Sequence, residues 1–348
     1  MEKSNRIQWL DALRGLAITL VILFHFTVRF GRKYGADWIH SGPLFEVKFG
    51  WVGVYLFFMI SGFIIYLTIQ KKNGLTDFLI ARLSRLMPPY WTAILLILLL
   101  EPLHAELYHL ANRNQVTESV LNMLMIPDLF KVRYLDGAFW SLFVEVKFYI
   151  LFGLLWKWVN LKNHRNYFLS FLVLISLSLF ESLTHRIPFG ENFSYFLFFW
   201  LGIAACKVST ERLSYGSYAI LTGITALCSL GFYRDGAELV IAIPLFSFLF
   251  VGAERFFFRQ PLRAVALLSP LIFLGRISYS YYLIHQPVGY LLLGALGILS
   301  LNYNAAAVLA FLFCTGAAWA GFRFIEQLDK PISGYLKSKL LAPAYSDR

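Results

Sequence analysis

Apolar residues recur in runs of 17 to 24 positions along most of the chain, separated by short polar stretches. A helix needs about 20 mostly apolar residues to cross a bilayer, so the pattern predicts spans rather than soluble core helices. The runs fall at 15–31, 49–69, 88–105, 138–159, 166–183, 192–208, 214–233, 237–253, 276–299 and 305–325. A weaker amphipathic stretch at 117–130, TESVLNMLMIPDLF, contains Pro127 and is too short to cross; it predicts a re-entrant or interfacial helix. The expected fold class is therefore all-α: a polytopic integral membrane bundle of about ten transmembrane helices plus this short element. One membrane domain is expected over 1–335, with a short cytoplasmic tail at 336–348. The N-terminal stretch MEKSNRIQWLDALRG resembles the start of a secretory signal, but no small-residue cleavage site follows, which predicts that the first run remains as a span.

Composition agrees: of 348 residues, 58% are hydrophobic and 15% charged. The net charge of +11 could point to nucleic acid, but the basic residues are spread over short loops, a topological pattern. With the N-terminus inside, the inner side holds 21 Lys and Arg against 8 Asp and Glu, and the outer side 10 against 12. The excess of Lys and Arg on cytoplasmic loops then places both termini in the cytoplasm, and no nucleic-acid partner is expected. Cys206, Cys228 and Cys314 all fall inside apolar runs without metal-ligand spacing and read as packing thiols; no metal is expected. Phosphate-loop, dinucleotide, zinc-helix and nucleophile-elbow motifs are missing from the sequence.

Polar residues inside these runs are the candidates for chemistry, because an ionisable group in hydrocarbon costs a few kcal/mol and usually faces a protein interior or an aqueous cavity. In RGLAITLVILFHF, His25 follows Arg14 by eleven residues, about 16 Å and nearly three turns, so the two share a face with Asp11 close by. In FWSLFVEVKFYIL, Glu145 lies about 10 Å into a span, with Ser141 and Tyr149 at i−4 and i+4. A carboxylate at the depth of His25 could orient the imidazole. In GRISYSYYLIHQPV, Ser278, Tyr281 and His285 form one stripe. In TDFLIARLSRLMPPYW, an amphipathic helix is expected to start at Thr76 or Asp77, with Pro88 and Pro89 beginning the next. Arg82 and Arg85 share a face there, which suits phosphate binding. Each signal has a plainer reading: an interhelical hydrogen bond for His25, a structural ion pair for Glu145, topology for the two arginines, and close helix packing for GVYLFFMISGFII with Gly53, Ser61 and Gly62.

Together, WLDALRGLAITLVILFHF, GWVGVYLFFMISGFII, RLSRLMPPYW, FWSLFVEVKFY and GRISYSYYLIHQPV stand in the order found in the acyltransferase-3 family, which the chain resembles over residues 6 to 335, closing with FRFIEQLDKPI. The resemblance implies a ten-helix bundle that moves an acyl group, commonly acetyl, from cytoplasmic acyl-CoA to a hydroxyl of an envelope carbohydrate. The family's essential histidine and arginine of the first helix match His25 and Arg14, its R-x-x-R pair matches Arg82 and Arg85, and its acidic residue matches Glu145. Lys147 stands where many relatives keep an acidic or neutral residue.

The expected enzyme is thus an O-acyltransferase of the inner membrane, with membrane lipid, acyl-CoA as donor and a carbohydrate acceptor as partners. His25 and Glu145 are the expected catalytic residues, and Arg14, Arg82 and Arg85 bind the donor. Asp11, Ser141, Tyr149, Ser278, Tyr281 and His285 are further candidates. A flippase or transporter of a glycan or small anion is the rival reading, and would carry internal repeats, which the sequence does not show. A catalytically dead sensor with the same fold is the third.

Overall fold

The computed structural model describes residues 2–35, 42–109, 116–156, 158–184, 193–211, 213–233, 236–259 and 266–341. Regular structure among the described residues is entirely helical. The helices are α1 (Glu2–Phe24), α2 (Phe30–Tyr34), α3 (Gly53–Ile69), α4 (Leu75–Leu107), α5 (Val116–Met123), α6 (Trp140–Leu155), α7 (His164–Thr184) and α8 (Phe193–Thr210). They continue as α9 (Tyr215–Phe232), α10 (Gly236–Arg259), α11 (Ser269–Arg276), α12 (Ser278–Ile284), α13 (Pro287–Ile298), α14 (Tyr303–Phe324) and α15 (Asp329–Leu340).

Eight helical segments among the described residues are long and apolar enough to span a bilayer. The other two expected spans coincide with shorter helices, the 16-residue α6 and the chain of α11, α12 and α13. The protein is a polytopic all-α membrane protein. The stretch at 117–130 forms α5 and a 3₁₀ turn, Pro127–Phe130. Residues 342–348 of the expected tail lie outside the described residues, and α15 occupies its first part.

Three boundaries differ from the sequence expectation. Pro88 and Pro89 do not begin a new helix; α4 runs through both and through Pro102. Prolines remove backbone donors, which a membrane helix tolerates within a packed protein. Here the Tyr279 hydroxyl donates to the Leu86 carbonyl at 2.8 Å, and Thr92 donates to the Pro88 carbonyl at 2.9 Å. The run at 276–299 is broken at His285 and Gln286, because Pro287 opens a new helix. The first span also changes winding: α1 gives way to a π-helical turn, His25–Arg29, before α2.

The described chain divides into two compact units that interleave in sequence. The first comprises Met1–Ala17, Val54–Leu79 and Val144–Ile272; the second comprises Ile18–Gly53, Ile80–Phe143 and Phe273–Arg348. In the first unit, Trp9 sets its ring edge-on to Phe63 and Phe250 at 5.2 and 5.4 Å. The α3 and α8 backbones meet closely there, since a methyl added at Gly62 would lie 2.0 Å from the Phe199 carbonyl oxygen and one at Gly202 would lie 1.9 Å from that of Met59. The packing role expected of Gly62 is thereby seen. In the second unit, Phe30, Tyr34, Tyr108, Tyr290 and Tyr303 form an aromatic cluster, with Tyr34 and Tyr108 stacked at 3.8 Å.

Candidate active site

The second unit gathers polar side chains around His25, the first residue of the π turn. Its Nδ1 lies 2.8 Å from the Val21 carbonyl oxygen. A carbonyl can only accept, so Nδ1 carries the proton and the neutral ring leaves Nε2 bare. The Gln286 side-chain nitrogen lies 3.1 Å from that Nε2 and donates to it. The break between α12 and α13 is what brings Gln286 there, together with His285. Both ring nitrogens of His25 therefore have partners in its own unit. Within that unit, Val21 and Gln286 orient the ring.

His285 is fully buried, and its ring meets that of His25 edge-on at 4.7 Å. Its Nδ1 donates to the Tyr282 carbonyl at 2.7 Å, so its Nε2 is also bare, and that atom is buried without a hydrogen-bond partner. The tilted ring of Tyr290 lies 6.4 Å from His25, and its hydroxyl is likewise buried and unpartnered. The Lys33 ammonium sits 5.4 Å from the Tyr290 ring centre and 5.0 Å from that of Tyr34. In the loop before α6, Asp136 is buried and accepts the Ala138 backbone N–H at 2.7 Å. Burial pushes its carboxyl up to about 6, opposed in part by that N–H and by Lys33.

Other predicted residues of this unit lie further from His25 in role. Ser141 approaches the Tyr282 hydroxyl at 2.7 Å, and Tyr282 donates to the Ala138 carbonyl at 2.9 Å, which ties the start of α6 to α12. Tyr281 donates to the Phe311 carbonyl at 2.8 Å and is thereby bound to α14, while Ser278 is buried. Of the stripe Ser278, Tyr281 and His285, only His285 is in contact with the His25 ring. On α4, Arg82 is buried and Arg85 half-buried.

In the first unit, Arg14 pairs with Asp11 at 3.3 Å. One oxygen of Glu145 accepts from the Ser61 hydroxyl at 2.6 Å and from the Tyr149 hydroxyl at 2.5 Å. Two donors on one oxygen hold the carboxylate in a fixed rotamer. Tyr149 thus meets Glu145 as the i+4 spacing suggests, whereas Ser141 turns to Tyr282. Ser61, read from the sequence as packing, is a ligand of the carboxylate. Gln286 and Tyr290 carry no charge, so a search for buried charges passes over them. The signal that could have found them is Pro287, which forces a helix break beside a histidine.

The acyltransferase-domain profile matches residues 7–323. The chain belongs to the acyltransferase-3 family. It is 23% identical over 337 residues to the O-acetyltransferase OatA of Staphylococcus aureus, covering 83% of this chain but only 51% of OatA, so it spans about half that relative's length. It is 27% identical over 344 residues to a Komagataeibacter xylinus protein provisionally named membrane-bound transacylase BcsY, covering 91% of this chain and 78% of that one. It is also 24% identical over 300 residues to a provisionally named acetyltransferase, ORF330, of Acidianus two-tailed virus, covering 82% of this chain and 84% of that one. No solved structure matches. Membership makes the protein a multi-pass membrane acyltransferase.

Proposed function

We propose that this acyltransferase moves an acyl group, acetyl by preference, from cytoplasmic acyl-CoA to a hydroxyl of a cell-envelope or exported carbohydrate, from within the inner membrane. The observation that carries this reading is His25, a neutral imidazole in a membrane helix whose proton is fixed on Nδ1 by the Val21 carbonyl and whose unprotonated Nε2, capped by the Gln286 amide, can accept one when that amide gives way. That is the arrangement a general base needs. The acceptor hydroxyl gives its proton to Nε2 as its oxygen attacks the thioester carbonyl, and the C–S bond breaks to release coenzyme A thiolate. Gln286 tracks the proton: its NH2 caps the bare nitrogen, and rotation by half a turn offers its oxygen to the new N–H.

Arg82, Arg85 and Arg14 are the proposed donor ligands, since guanidiniums suit the phosphates of coenzyme A and the excess of basic residues in the flanking loops favours a cytoplasmic side for them. Glu145 is the second proposed catalytic group, a carboxylate preset by Ser61 and Tyr149. The name of OatA, an O-acetyltransferase, supports acetyl transfer to oxygen. The test is transfer of label from acetyl-CoA into membrane glycan in vesicles bearing the protein. Transfer is expected, and loss of it in inserted His25→Ala; label moving across the membrane without covalent attachment would contradict the proposal.

A further inference from the structure

Around His25, hydrogen-bonding capacity is left unfilled, and the unfilled atoms have a definite chemistry. His285 Nε2 can only accept, because its Nδ1 proton is committed to Tyr282. Tyr290 Oη can donate and accept. Both atoms are buried without partners, although the two residues are 0% and 1% exposed. A buried polar atom left unpaired costs about 1–3 kcal/mol, so its retention beside a catalytic group calls for a partner that arrives with the reaction. A hydroxyl meets both needs: it donates to the bare nitrogen and accepts from the phenol.

Gly137, an exposed residue of the loop before α6, lies against the Gln286 side chain of this cluster. A methyl built there would sit 3.5 Å from Gln286 Oε1 and 3.9 Å from its Nε2, ordinary contact distances. An alanine therefore fits, whereas a longer side chain would lie across the amide that caps His25.

We propose that His285 and Tyr290 bind a second hydroxyl of the acceptor, next to the one that reacts at His25, and that the acceptor arrives over Gly137. This rests on the transferase reading given above and assigns two binding residues to its acceptor.

The test uses vesicles bearing the full chain and labelled acetyl-CoA. His285→Asn keeps a donor in the place of Nδ1 and deletes Nε2; Tyr290→Phe deletes an oxygen that holds nothing in the free protein. Each is expected to keep its melting temperature and its KM for acetyl-CoA while transfer to membrane glycan falls about 10-fold or more, the loss of one hydrogen bond of about 1.4 kcal/mol. Gly137→Ala is expected to transfer normally, and Gly137→Leu to transfer poorly at unchanged stability. As a chemical probe, 1,2-propanediol is expected to inhibit at about one-tenth the concentration of 1-propanol, with that preference lost in His285→Asn. Full transfer by His285→Asn and Tyr290→Phe, a melting temperature that falls together with transfer, or equal inhibition by the two alcohols in the unsubstituted protein would overturn the inference alone. No labelled transfer by the unsubstituted protein would overturn the transferase reading and this inference with it.

Discussion

Two buried polar clusters, one in each unit, differ in how far their hydrogen-bonding capacity is filled. In the first unit the Lys207 ammonium is fully buried and meets four oxygens: the Leu161 carbonyl at 2.6 Å, the Lys162 carbonyl and Tyr66 hydroxyl at 3.3 Å, and Glu211. The Tyr66 hydroxyl in turn donates to Glu211 at 2.6 Å. In the second unit the cluster of His25, Gln286, His285 and Tyr290 leaves two buried atoms without partners. A saturated cluster ties α8 to the segment after α6, and the tie itself accounts for the burial of its charge. An unsaturated one calls for an external partner to account for it. Burial of a polar group thus does not by itself separate structure from chemistry; unfilled valences beside an unprotonated imidazole are the sharper sign.

The contrast can be broken or sharpened by substitution. The largest effect is expected for His25→Ala, with labelled acetyl transfer falling roughly 10³-fold in protein that inserts normally, the usual worth of a general base. Next, Lys207→Met leaves the half-buried Glu211 carboxylate beside Tyr66 without its counter-ion and removes the donor of a buried network, and should lower unfolding stability in detergent by about 1–3 kcal/mol. Where Lys207→Met protein remains folded, its kcat should be unchanged, and a selective loss of turnover would erase the distinction between the clusters. Gln286→Met keeps the volume but removes the amide from His25 Nε2; transfer should fall by about 100-fold, as for a misplaced reacting group, with the donor KM unaffected.

The smallest effect concerns pH. Asp136 is buried with its carboxyl raised from 3.8 to about 6, so folding favours its protonated form. Its contribution to stability is complete below pH 3.8 and is lost as pH rises through about 6. The melting temperature in detergent should therefore fall over that window in the unsubstituted protein by more than in Asp136→Asn. Identical profiles would show that Asp136 does not titrate there.

Much of this was legible in the sequence, and the reasons are specific. Lipid demands long apolar helices, so all ten expected runs coincide with helical segments, and the polar interruptions His25, Glu145 and His285 stood out as costly. Local spacing also reached the Tyr149 contact to Glu145, because i and i+4 positions adjoin on any helix. What escaped depends on partners remote in the chain. Gln286 lies 261 residues from His25, and its contact needs a helix break that apolar periodicity does not register. The π turn at His25–Arg29 escaped for a similar reason: its winding departs from the 3.6-residue period on which face assignments rest. The Tyr279 hydroxyl on the Leu86 carbonyl, next to Pro88 and Pro89, is again a contact far apart in sequence.

The most direct test deletes one atom position from the proposed base while leaving its anchor. In His25→Asn the side-chain nitrogen stands where Nδ1 donates to the Val21 carbonyl, and nothing stands in the place of Nε2. The account predicts a protein with an unchanged melting temperature whose vesicles transfer labelled acetyl from acetyl-CoA roughly 10³-fold more slowly. Transfer by His25→Asn at the unsubstituted rate would contradict it.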